Sequence, residues 1–129
     1  MLLPLLLLLA ASLPGPVQGD FDHDGLIDTA RIRSTGSDAH DLEIIRGATP
    51  SHPTRVARLR AAPDYLQLTT THEDGVATAC GKDLGTRRQP CPNPKVDLRK
   101  GDLVFGSAES SEAVVLWDGK RFQVQWLTD

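Results

Sequence analysis

From residue 29 onward the hydrophobic positions fall in short, partly alternating runs, and Gly, Pro, Asn or Asp interrupts them every 8 to 12 residues or so, the rhythm of strands joined by turns. No segment carries the 3.6-residue period of an amphipathic helix. The pattern predicts an all-β chain, a small antiparallel sheet or sandwich-like domain. Strands are expected at 29–33, 42–46, 55–59, 65–71, 76–80, 96–99 and 103–105, with loops at 34–38, 48–53 and 81–94. His72-Glu73-Asp74-Gly75 reads as a hairpin turn between two of them.

The clearest signal is C-terminal. Ala113-Val114-Val115-Leu116-Trp117 is followed by Asp118-Gly119 and then by Lys120 to Trp126, and Asp-Gly between β-rich runs favours a tight type I′ hairpin. A two-residue turn pairs Trp117 with Lys120, Val115 with Phe122 and Ala113 with Val124. Ala113, Val115, Trp117, Phe122, Val124 and Trp126 then share one buried face. Val114 and Leu116 occupy the other face, so the first strand of the hairpin should be covered on both sides and central. Arg121, Gln123 and Gln125 place the last strand nearer an edge.

Charge distribution divides the chain. Residues 1–19 hold no Asp, Glu, Lys, Arg or His, and the run 2–13 is almost entirely Leu, Ala and Pro. That run is shorter than the ~20 residues that span a bilayer, and it reads as the apolar region of a secretory signal without the usual basic start. Gly19 behind Val17 loosely meets the small-residue cleavage rule, which gives a signal peptide over 1–19 and a β domain over 20–129. A cut nearer Ala11 would leave the following segment better anchored. The expected location is periplasmic or secreted, without a membrane anchor. The net charge of −3, from 14 basic and 17 acidic side chains, argues against nucleic acid or an anionic membrane as the partner. Cys80 and Cys91, the two cysteines, are expected to form a disulfide in an oxidising compartment, worth roughly 3 kcal/mol for a loop of about a dozen residues. Their spacing is unlike that of a catalytic dithiol or a zinc site. Arg87 and Arg88 lie between them. They are either a doublet that docks into an acidic cleft of a partner protein or a solvated pair. Arg55, Arg58 and Arg60 read as a charged sheet face.

Chemistry concentrates at Asp20-Phe21-Asp22-His23-Asp24-Gly25-Leu26-Ile27-Asp28, a D-x-D-x-D-G-x-x-D pattern. Four carboxylates in so short a stretch repel one another unless a cation neutralises them, and hard oxygen ligands in this number suit Ca²⁺. The side chains of Asp20, Asp22, Asp24 and Asp28 and the carbonyl of Leu26 are the candidate ligands, and Gly25 permits the sharp turn. An acidic solvated turn without metal is the alternative. His23 is expected to point outward. An EF-hand is excluded, because its twelfth position requires Glu and here holds Arg31, with no helical period on either side.

A calcium loop that runs straight into a strand resembles those of FG-GAP and VCBS repeats, and the resemblance covers residues 20–33. It implies calcium without implying a function, and this chain has one copy where those families carry many. More broadly, the leader, the single calcium loop, the cysteine pair before a Pro-rich stretch and the closing segment 114–129 are similar to small periplasmic proteins of Gram-negative bacteria. These include immunity proteins and periplasmic inhibitors that block lysozyme-like hydrolases. The resemblance implies a non-catalytic calcium-binding domain that acts on another protein, a peptidoglycan hydrolase being the named candidate. The alternative is a calcium-stabilised envelope or adhesion module without inhibitory activity. No nucleophile motif is present, since Gly106-Ser107-Ala108-Glu109-Ser110 lacks the second Gly, and the four histidines are scattered over segments read as loops, so no enzyme is expected. The oligomeric state stays open.

Overall fold

The computed structural model describes residues 13–78, 95–107 and 111–127. Most of the leader, Cys80, Cys91, Arg87 and Arg88 lie outside these residues. The first sheet holds β1 (Val17–Gly19), β2 (Asp28–Ser34), β3 (Ala39–Ile45) and β4 (Thr54–Arg60) in that spatial order. The second holds β5 (Leu66–Thr70), β8 (Leu103–Ser107), β9 (Ser111–Trp117) and β10 (Phe122–Leu127), ordered β10-β9-β8-β5, and β6 (Gly75–Thr78) pairs with β7 (Lys95–Leu98) as a separate ribbon. Every pairing is antiparallel, so the all-β expectation holds.

Alternation explains the packing. In β2, Ala30 and Ile32 are buried while Arg31 and Arg33 are exposed, and in β3 Leu42 and Ile44 point the same way as Ala30 and Ile32. These side chains, with Phe21 and Leu59, meet Leu66, Leu103, Phe105, Ala113 and Val115 from the second sheet in one continuous core. The two sheets therefore face each other as a sandwich. Behind the second sheet lies a thinner cluster of Val96, Val104, Val114 and Leu127, with Ala77, Leu98 and Leu116 packed against it. The β6–β7 ribbon thus covers the outer face of β8 and β9. The expectation that the strand at 113–117 is central and covered twice is met, and β10 is the edge. Among the described residues, nothing covers the outer face of the first sheet in this way. Glu43 receives hydrogen bonds from Arg31 and Arg33 at 2.8 to 3.1 Å, and Asp41 lies 3.4 to 3.7 Å from Arg58 and Arg33.

Three expectations are corrected. The register of the last hairpin pairs Trp117 with Phe122 and Val115 with Val124, two residues away from the expected pairing. A type I′ turn needs two left-handed residues, and only Gly119 (φ 100°) has that conformation there. Asp118 instead makes a four-residue loop, its carboxylate accepting the N–H groups of Lys120 and Arg121 at 2.8 Å. A slip of two preserves which residues share a face. The segment at 72–75 is no hairpin turn: β5 pairs with β8 and β6 with β7, so the chain crosses there from the second sheet to the ribbon. His40 belongs to β3 rather than a loop and is 1% exposed, its Nε2 3.1 Å from the carbonyl of Ala61. Part of the segment read as a leader is paired in the structure: β1 pairs Val17 with Ala30 and Gly19 with Asp28, and Leu13 and Val17 pack on the core.

Candidate metal-binding loop

The acidic motif is the connection between β1 and β2, whose last rung is Gly19 opposite Asp28. Closing the loop over that rung requires unusual backbone at two points, His23 at φ 58° and Gly25 at φ 89°. Phe21 anchors the loop, its ring buried in the sandwich core directly beneath Gly19. A side chain at Gly19 would meet that ring at 2.8 Å. On the far side the turn at Gly47 comes so close that a side chain there would strike the carbonyl of Ile27 at 2.5 Å.

The carboxylates divide the work. Asp28 is fully buried and accepts the N–H groups of Phe21 (2.9 Å) and Asp22 (3.3 Å) on one oxygen and that of Gly47 (2.8 Å) on the other, so it ties both ends of the loop to the neighbouring turn. Asp20 accepts from Asp24 and Gly25 at 3.0 and 2.8 Å. Asp22, 4% exposed, accepts the N–H of Asp24 and an Arg46 Nε–H at 2.6 Å. Asp20, Asp22 and Asp28 each offer one oxygen, and the three lie within 4.8 Å of one another. That spread suits oxygens arranged about one metal cation. Asp24 stands outside the group: it is exposed and accepts the N–H of Leu26 at 2.8 Å. Leu26 is itself about half exposed on the outer turn. His23 points away, its Nε2 3.6 Å from the buried carboxylate of Asp102.

Electrostatics favour a cation here. Burial raises the pKa of Asp28 and outweighs the N–H groups aimed at its oxygens, and the charge of Asp22 adds to the effect. Burial pushes Asp22 the same way, but the Arg46 guanidinium and the N–H and side chain of Asp24 hold it below the ordinary carboxylate range. Arg46 in turn is raised by its hydrogen bond to Asp22. One guanidinium thus faces several carboxylates, and a divalent ion would supply the missing positive charge. Arg46 also lies 4.6 Å from the centre of the Trp117 ring, which meets Phe122 edge-on at 4.8 Å. The loop is therefore linked to the β9–β10 hairpin. No sequence signal marked Arg46 or Asp102, because their roles arise from strand pairing across the fold.

No family model, curated protein or solved structure matches this chain.

Proposed function

We propose that the chain is an exported calcium-binding β domain that acts by binding another protein, in its specific form a periplasmic inhibitor or immunity protein directed at a peptidoglycan hydrolase. The observation that carries the metal half of this reading is the convergence of Asp20, Asp22 and Asp28 at one end of the sandwich. Calcium there would tie β1 to β2 and, through the Asp22–Arg46 pair, hold the loop against the last hairpin, which is a stabilising role. The partner half draws support from the uncovered face of the first sheet. Arg31, Arg33, Arg58 and Arg60 rise from its flanking strands around Asp41 and Glu43, the two carboxylates of that face among the described residues, a surface suited to an acidic patch on another protein.

Thermal melting of protein stripped on a chelating resin, then repeated with calcium, tests the metal. Binding to the native state alone stabilises by RT ln(1 + [L]/Kd), about 2.7 kcal/mol at a hundredfold excess over Kd. The expected result is a rise in midpoint with Ca²⁺, smaller with Mg²⁺, and abolished in Asp20→Asn/Asp22→Asn. An unchanged midpoint in millimolar calcium overturns it. For the partner, inhibition of a lysozyme-like hydrolase and a gene for a secreted toxin beside this one are the expected findings. Neither a neighbouring toxin nor a captured hydrolase would leave the inhibitor reading without support.

A further inference from the structure

At the edge where β4 approaches β10, the sandwich opens into a cavity of about 290 Å³. Arg46, Arg55, Lys120 and Arg121 contribute four positive charges to its lining, and no carboxylate lines it. Arg46 is committed to Asp22. Among the described residues, Arg55, Lys120 and Arg121 form no ion pair. Asp118 is the nearest acid in sequence, but its oxygens accept the N–H groups of Lys120 and Arg121 and the amide of Gln123, and it lines the neighbouring depression beside Lys95 and Asp97. Three exposed cations thus share one small space, with Asp118 beside Arg121 as their nearest acid, in a chain whose net charge is −3. A multiply charged anion would meet all three at once. Arg55 comes from β4 and Lys120 and Arg121 from the turn between β9 and β10, so the fold brings them together.

The rest of the lining limits what that anion is. Val56, Trp117 and Phe122 form an apolar wall that a bare inorganic ion would leave unfilled. The volume corresponds to about ten waters at ~30 Å³ each, enough for a ligand of roughly ten to fifteen non-hydrogen atoms. Guanidinium groups present paired donors that match carboxylate and phosphate oxygens alike. The geometry points to a binding site for a small organic polyanion, with two or three carboxylate or phosphate charges on a compact body, at the β4–β10 edge. The site meets the acidic loop through Arg46, which pairs with Asp22, whereas Arg55, Lys120 and Arg121 form no ion pair with the Asp cluster.

Isothermal titration of the metal-stripped protein tests it, with citrate, glucose 6-phosphate, inorganic phosphate and glucose as probes. Saturable single-site binding is expected for citrate or glucose 6-phosphate, about tenfold or more tighter than for inorganic phosphate, with none for glucose. The preference between the first two identifies the carboxylate or phosphate source. Arg55→Glu, and separately Lys120→Glu/Arg121→Glu, should each weaken binding by about tenfold or more, with circular dichroism and melting retained as evidence of folding. Arg58→Glu makes the same charge change outside the cavity and should alter affinity by less than about twofold. Equal affinity for inorganic and organic anions, equal sensitivity to Arg58→Glu and Arg55→Glu, or no saturation at millimolar ligand would each overturn the proposal. The calcium melts report on the metal loop separately.

Discussion

The two sheets bury their inner faces against each other, yet their outer faces meet opposite fates. Behind the second sheet, Val104, Val114 and Leu116 lie under the β6–β7 ribbon. Behind the first, the matching positions carry Arg31, Arg33, Asp41 and Glu43, with the two acids 5% and 7% exposed beneath the more exposed arginines. One face is closed by hydrophobic burial and the other by ion pairing in contact with water. The difference lies in the sequence period: β2 alternates, whereas β8 and β9 run apolar at consecutive positions and so demand a partner on each side.

Substitutions grade this contrast. Phe105 sits fully buried between the sheets and meets Trp126 edge-on at 5.6 Å. Phe105→Ala should cost about 3 to 5 kcal/mol in urea unfolding and sets the scale for the shared core. Val114→Thr places a hydroxyl under the ribbon and should cost about 1 to 3 kcal/mol; a neutral result would mean that the ribbon does not exclude water. On the open face Arg58→Ser should cost less than about 1 kcal/mol, because the Arg58 side chain is 55% exposed and Asp41 keeps Arg33.

The smallest effect depends on pH. Burial opposes ionisation of Glu43, but Arg31 and Arg33 prevail and lower its pKa below 4.5. The native state therefore binds this proton less readily than the unfolded chain. The contribution is fully present above the unfolded value and fades as pH falls through the folded one. Glu43→Gln should be less stable than the parent at pH 7, and the gap should close in melts carried to acid. A gap independent of pH would show that the arginines gain nothing from the charge.

How much of this was legible follows from where the information resides. Strand positions and the double cover of β9 could be read because burial imposes a local pattern on the side chains. The Asp motif could be read because its carboxylates are close in sequence, and three of the four do converge. His40 shares its face with Leu42 and Ile44, so extending the β3 alternation two residues upstream would have placed it in the core. The hairpin register could not be read, since it turns on whether Asp118 spends its carboxylate on the loop N–H groups. Nor could the partner of β5, which closes with β8 across the whole ribbon. Strand β1 was hidden for a different reason: three residues of strand merge into an apolar leader and carry no period of their own. A chain processed at Gly19 would lack that strand, while one processed near Ala11 keeps it.

The β6–β7 ribbon has an engineering consequence. A two-stranded ribbon is marginally stable at best on its own, so redesign of this part of the fold has to keep the apolar contacts of Ala77, Val96 and Leu98 with Val104 and Val114.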